Sequence, residues 1–156
     1  MNDISPVRVA TRDDVEALHR VRLAVRENVL SRPELVTHAD YVEHLERRGR
    51  GWLVEAGGEV VGFAIGRSDD GNLWALFVDP AHEGRGIGGA LHDALVAWMF
   101  AQGLARLWLT TGPATRAARF YARRGWREAG HEGAELRLEL ARTDFRTKQG
   151  LTAPRK

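Results

Sequence analysis

The chain has 156 residues, the size of one domain, and can bury roughly two-thirds of its unfolded surface without covalent staples. It has no cysteine, which excludes disulfides, cysteine zinc sites and a thiol nucleophile of its own, so any thioester chemistry uses another molecule's sulfur. The formal net charge of +2 hides an asymmetry, because residues 141–156 carry a net +4 and leave −2 for the body, too little for a nucleic-acid footprint.

In chain order, Val7 to Ala10 alternates as a short strand. Thr11-Arg12-Asp13-Asp14 offers a helix N-cap with an acid three residues on. Val15, Leu18, Val21 (or Arg22) and Val25 then recur at helical spacing, which predicts a helix ending near Asn28 to Ser31, before Pro33. Thr37-His38-Ala39-Asp40 opens a second helix with Tyr41, Val42 and Leu45 inward, ended by Arg47-Arg48-Gly49-Arg50-Gly51. Trp52 to Ala56, Gly57-Gly58 and Val60 to Gly66 read as a hairpin. Ser68-Asp69-Asp70-Gly71 turns into a third strand, Asn72 to Val78. Its unbroken apolar run from Leu73 predicts a central strand covered on both faces.

A helix follows from about Gly88 to Ala101, with Leu91, Leu95, Trp98 and Met99 inward and Gly103 as its cap. Leu107 to Thr111 is a buried strand, Thr115 to Arg124 a short helix closed by Gly125, and Trp126 to Ala129 and Glu135 to Leu140 two last strands. The order β-α-α-β-β-β-α-β-α-β-β predicts one mixed α/β domain over residues 1–140. Residues 141–156 read as a basic, flexible C-terminal tail. Both lysines, Lys148 and Lys156, lie in that tail, which argues against a catalytic lysine. No apolar run approaches the ~18 residues that span a bilayer, and Met1-Asn2-Asp3-Ile4-Ser5-Pro6 lacks a signal-peptide pattern. A cytoplasmic chain without a membrane partner is expected.

The most informative stretch joins the third strand to the long helix: Asp79-Pro80-Ala81-His82-Glu83-Gly84-Arg85-Gly86-Ile87-Gly88-Gly89. Three alternate glycines exceed what a turn needs. Unpaired N–H groups at a helix start, with the positive end of its dipole, suit an anion such as a pyrophosphate. Gly84 to Gly89 also fits the dinucleotide pattern G-x-G-x-x-G, a weak signal alone. That reading needs an acid about 20 residues on for the ribose, at the end of the next strand. From Ala94 to Arg127 there is no Asp or Glu, and that strand ends Thr110-Thr111.

Residues 6 to 140 resemble the GNAT acetyltransferase superfamily. Glu83-Gly84-Arg85-Gly86-Ile87-Gly88 is similar to its signature Q/R-x-x-G-x-G/A. Thr115 to Trp126, with Phe120-Tyr121-Ala122-Arg123-Arg124-Gly125-Trp126, is similar to its second motif, a helix ending in Tyr, a basic residue and Gly-Phe/Trp. The resemblance implies a central, largely antiparallel sheet of about six to seven strands flanked by four helices. It also implies acetyl-CoA as cosubstrate, with no metal. Leu76, Phe77 and Val78 would line the pantetheine arm. Arg85, Gly86, Ile87 and Gly88 would hold the pyrophosphate, and Arg119 and Arg124 are the candidates to reach the nucleotide 3′-phosphate, with Phe120 packed on the adenine side or in the core. Glu83 departs from the pattern and is expected to turn away, leaving Arg85 as the better charge partner.

Tyr121 is implied as the general acid for the departing thiolate, a role a phenol in a cationic setting can fill. The third strand carries no carboxylate or His, so the general base is sought elsewhere, at Glu27 near the end of the first helix or Glu135 on the last strand. Arg22, Asn28, Ser31 and His131 lie near the implied substrate cleft. His82 and His92 suit packing or a cap. The expected reaction is N-acetylation of a small-molecule primary amine, by a chain that could form a homodimer. A non-catalytic CoA-binding module and a protein or peptide N-acetyltransferase stand as alternatives.

Overall fold

The computed structural model describes residues 3–148. After a two-residue strand β1 (Arg8–Val9), Thr11 and Asp14 form a capping box, with the Thr11 N–H donating to Asp14 Oδ2 at 2.8 Å, and α1 (Val15–Ala24) follows. Val15, Leu18 and Val21 are its buried stripe. The helix stops at Ala24, short of the predicted 28–31, because Asn28 takes a left-handed φ of 56° and turns its amide toward a distant strand. A second capping box, Thr37 with Asp40, starts α2 (His38–Glu43), which widens into a π-type turn through Arg48.

Strand β2 (Gly49–Ala56) begins three residues earlier than predicted. Gly49 and Gly51, which read as helix terminators, are strand residues under close approach. A Cβ on Gly49 would run into the Gly66 carbonyl, and one on Gly51 would press on Leu45. β2 pairs antiparallel with β3 (Glu59–Arg67), and β3 with β4 (Leu73–Val78), in register at Leu53 opposite Phe63 and Phe63 opposite Phe77. With β1 these make a sheet in the order β1-β2-β3-β4. The long helix α3 (Ile87–Ala101) then crosses to β5 (Arg106–Thr111). A short helix α4 (Arg116–Arg123) precedes β6 (Arg127–Glu132) and β7 (Glu135–Ala141), and the second sheet runs β5-β7-β6, all antiparallel.

The architecture is therefore the expected mixed fold, with the seven strands of the described residues split four and three. The halves join at one end only. Asn72 and Trp108 form a single parallel bridge, the Trp108 N–H donates to Gly71 O at 3.0 Å, and Asn72 Nδ2 donates to Trp108 O at 3.3 Å. Beyond that bridge no ladder connects β4 to β5. This corrects the prediction of a fully covered β4: Leu73 and Ala75 are buried, but Leu76, Phe77 and Val78 are half-buried, because they face the gap.

Two clusters flank the sheets. On one face α3 sets Leu91, Leu95, Val96 and Met99 against Val54, Val61, Leu107, Leu109, Leu138 and Leu140. Gly62 and Gly66 let the helix down onto β3, since side chains there would meet Ile87 and Met99. On the other, α1 and α2 set Leu18, Val21 and Tyr41 against Leu53, Phe63, Ile65 and Ala75. The stretch read as a flexible tail begins with structure instead. Ala141 ends β7 and a helix α5 (Arg142–Lys148) follows. Phe145 packs on Phe100, and Arg142 Nη2 donates to the carbonyls of Phe100 (2.9 Å) and Leu104 (2.6 Å) at the end of α3. The remainder of that stretch, from residue 149, lies outside the described residues.

Candidate active site

The site begins at the glycine turn. Asp79 stops β4, its Oδ1 accepting from the Ala81 N–H at 2.9 Å. Gly84 and Gly86 adopt φ of 81° and 83°, a region other residues enter at a cost of roughly 1 kcal/mol or more, and Gly86 becomes the N-cap of α3. The first intrahelical bond runs from Ala90 N–H to Gly86 O at 3.1 Å. The N–H groups of Ile87, Gly88 and Gly89 have no intrahelical acceptor, and no side chain caps them. Arg124 brings a cation beside this helix start. Its guanidinium lies 4.7 Å from the Phe120 ring centroid, 3.4 Å from Asp93 Oδ1, and so close over Gly89 that a Cβ there would collide with it. Open N–H groups, a helix dipole and an arginine converge at one point, an arrangement chemically suited to an anion.

From that point the gap between β4 and β5 opens as two cavities. The first, about 550 Å³, runs from the glycine turn along Leu76, Phe77 and Val78 to α4. The second, about 410 Å³, lies on the side of α1 and the last strands, with Arg22, Trp74, Leu109, Thr111 and Glu135 in its wall. Tyr121 lines both, as do Leu76, Phe77, Ala117 and Asn28. Tyr121 is only 5% exposed, and its ring sits among Phe120, Trp126 and His92. Its hydroxyl has no hydrogen-bond partner among the described residues. Burial pushes the phenol well above its usual range, so it keeps its proton at any ordinary pH.

The residues predicted for cofactor contact mostly converge. Leu76, Phe77, Val78, Gly86, Ile87, Gly88, Arg119, Phe120 and Arg124 all line the first cavity. Arg85 is exposed and is not part of that wall, so its side chain contributes nothing to the cavity as it stands. Glu83 is held by Arg116 Nη1 at 3.0 Å, which accounts for an acid being tolerated in the turn. The two candidate bases separate. Glu27 lines the first cavity and accepts from the Arg116 N–H at 2.9 Å, capping α4, whereas Glu135 lines the second. His131 sits on exposed β6 and lines neither cavity, and Ser31 lines the second.

Two residues carry more than their sequence positions conveyed. Asn28 donates from Nδ2 to Thr111 Oγ1 (3.0 Å) and accepts at Oδ1 from the Gly112 N–H (3.0 Å), tying the segment after α1 to the end of β5. No sequence signal marks that long-range pairing. Arg22 stands in the inward stripe of α1, at helical spacing from Val15 and Leu18, where an apolar residue would be ordinary. That misplaced arginine was the available signal.

A family-level comparison matches residues 15–126 to the acetyltransferase (GNAT) family. The chain belongs to that family. A search of curated proteins finds no match. Solved structures with the same fold include the PaiA N-acetyltransferase of Thermoplasma acidophilum in complex with coenzyme A, at a TM-score of 0.75 and 16% identity over 89% of this chain and 99% of that one. The ribosomal-protein-S18-alanine N-acetyltransferase of Escherichia coli is similar at TM-score 0.70 and 21% identity, over 90% and 94% of the two chains. Rv2747 of Mycobacterium tuberculosis, solved with CoA and NLQ, is similar at TM-score 0.69 and 22% identity, over 88% and 99%. In this GNAT chain the family match spans both sequence motifs, the glycine turn and the Tyr121 helix. Among its described residues no helix is long and apolar enough to cross a membrane, and no group of three or more His, Asp or Glu is placed to hold a metal ion.

Proposed function

We propose that this GNAT protein is an acetyl-CoA-dependent N-acetyltransferase acting on a small primary amine, with the donor in the first cavity and the acceptor in the second. The observation that carries the reading is Tyr121, which faces both cavities with an uncommitted hydroxyl. Two similar structures were solved with CoA, which supports the choice of donor. The N–H groups of Ile87 to Gly89 and the Arg124 guanidinium suit a pyrophosphate, and the half-buried face Leu76 to Val78 suits the arm. Bound there, acetyl-CoA supplies an acetyl group on a thiol leaving group.

The chain's own residues then position and move protons. Glu135, in the acceptor cavity, takes a proton from the incoming ammonium, directly or through one water, so that a neutral amine meets the acetyl carbon. As nitrogen–carbon bonding replaces the carbon–sulfur bond, Tyr121 donates its proton to the sulfur, and the nitrogen gives up its second proton as the amide forms, to solvent, from which Tyr121 is reprotonated. Burial keeps the phenol protonated, so it stands as a hydrogen-bond donor to the developing thiolate, although the same shift makes it a weaker acid than a free phenol. Glu27, committed to the N-terminus of α4, serves as a cap. The acceptor cavity of about 410 Å³ has the size of a small-molecule site, which favours this reading over a peptide acceptor.

The test is direct. Calorimetry is expected to detect CoA binding, and purified protein is expected to release thiol from acetyl-CoA with some amine. Tyr121→Phe is expected to lower kcat about 100-fold, the usual worth of a positioned acid, while leaving the CoA Kd unchanged. Full turnover in that variant removes Tyr121 as the acid. CoA binding with no turnover on any amine would favour a non-catalytic module.

A further inference from the structure

Arg22 is a sheltered arginine with neither a carboxylate nor a carbonyl to hold it among the described residues; Arg142, also without a carboxylate, donates to the carbonyls of Phe100 and Leu104. Arg67, Arg124 and Arg137, each with a side chain less than one-third exposed, hold Asp70, Asp93 and the pair Glu132 and Glu139. Arg22 makes no ion pair and no hydrogen bond among the described residues. Its Nη1 is shut off from solvent and has no partner, and its guanidinium lies over the Phe77 ring, 4.2 Å from the centroid. Burial disfavours its charged form, yet an arginine does not give up its proton at any ordinary pH. A guanidinium carries five donors in a fork matched to a carboxylate, and an uncompensated charge out of water is costly.

The neighbours do not supply the missing anion. Tyr41 on α2, the ionisable group electrostatically coupled to Arg22, has its hydroxyl bonded to His19 at 2.9 Å, and burial pushes its phenol up to about 12. Glu135 lines the same cavity without coming within ion-pair distance of Arg22. The acceptor cavity thus presents a free carboxylate in one part of its wall and a free guanidinium in another. Leu35, Trp74 and Leu109 are among the apolar residues of the same wall.

We infer that the acceptor is a free amino acid with an apolar side chain, its carboxylate neutralising Arg22 and its amine directed to Glu135 and Tyr121. This rests on the acetyltransferase reading above and narrows it to a substrate class. The buried guanidinium is then an unfilled half of an ion pair that the substrate completes, stacked in place by Phe77.

The experiment follows thiol release from acetyl-CoA with leucine, phenylalanine and methionine, each beside its amide and its decarboxylated amine. At least one free acid is expected to exceed both analogues by about ten- to a hundredfold in kcat/KM, the worth of a charged hydrogen-bonded pair. Arg22→Gln is expected to bring the acid-to-amide ratio near one, and Arg22→Lys to keep part of it. Thermal unfolding of Arg22→Gln without ligand is expected to give a Tm no lower than the parent, since an unpaired buried cation contributes no stability for the variant to lose. Amides and amines used as well as acids, or an unchanged ratio in the variant, overturns the inference. So does CoA binding with no acetylation of any amino acid, an outcome that leaves the CoA site standing. Absence of CoA binding instead defeats the acetyltransferase reading itself. Should Arg22→Gln fail to fold, the ratio in the unaltered protein and in Arg22→Lys decides.

Discussion

His92 is held in a single protonation state by its two partners. The Trp126 indole can only donate, and its Nε1 reaches His92 Nε2 at 3.0 Å, so Nε2 is the bare nitrogen and Nδ1 carries the proton to Asp93 Oδ1 at 2.9 Å. The same Asp93 Oδ1 also meets Arg124 Nη1 at 3.4 Å, beside the start of α3. Burial pulls the His92 pKa below the usual histidine range, against the opposing pull of Asp93. Burial does the same to His44, which is stacked on Trp74 with its Nε2 unpartnered. With folded values depressed, the unfolded chain takes up the protons first as pH falls. The stability these rings contribute is whole above about pH 6.5 and is lost as pH drops through the folded values. The urea midpoint is therefore expected to fall between pH 7.5 and 5.5. His92→Gln is expected to lower the midpoint at pH 7.5 and to flatten this slope; parallel profiles for the two proteins would assign the pH dependence elsewhere. The sequence places His92 beside an anion loop and suggests packing, but its partner Trp126 lies 34 positions away and is visible only in the fold.

At the scale of elements, the active gap is held at its edges by side-chain ties between segments far apart in sequence. The segment after α1 reaches β5 through Asn28 and α4 through Glu27, and the glycine turn reaches α4 through Glu83 and Arg116. Asn28→Ala removes both bonds to Thr111 and Gly112 and puts a Cβ-bearing residue without a polar side chain at φ 56°. The expected cost is about 2–3 kcal/mol, from two hydrogen bonds and the left-handed backbone. The expected kinetic signature is a raised acceptor KM with a smaller change in CoA affinity, since Asn28 borders both cavities but touches no part of the helix start. Asn28→Gly, which relieves the backbone, is expected to fall between. Thermal unfolding and steady-state kinetics check both; a Tm unchanged in Asn28→Ala would show that the tie is not what holds this segment. Helix and strand identities here were readable from capping boxes and periodicity. The ends of α1 and β2 were not, because Asn28, Gly49 and Gly51 answer to partners in other elements.

At the scale of the molecule, the two sheets are bridged at Asn72 and Trp108, and α3 spans the junction as a common floor. α5 closes the far end of that floor, with Phe145 8% exposed against Phe100. Phe145→Ala is expected to cost about 3 kcal/mol and to lower Tm by roughly 6–12 °C while leaving CoA affinity unchanged; a drop of less than a degree would mean that α5 contributes little to the core. By itself the sequence determined the element order, the glycine turn as the start of α3 and the likeness to GNAT proteins, because each rests on local patterns: periodicity, N-caps and glycines spaced for a helix start. Only the tertiary structure decided that Glu27 caps a helix while Glu135 lines the second cavity, that Glu83 is neutralised by Arg116, and that Arg22 is left without a counter-ion among the described residues. Those outcomes depend on which charges the two splayed sheets bring within reach of one another, and no local pattern encodes a distance between elements.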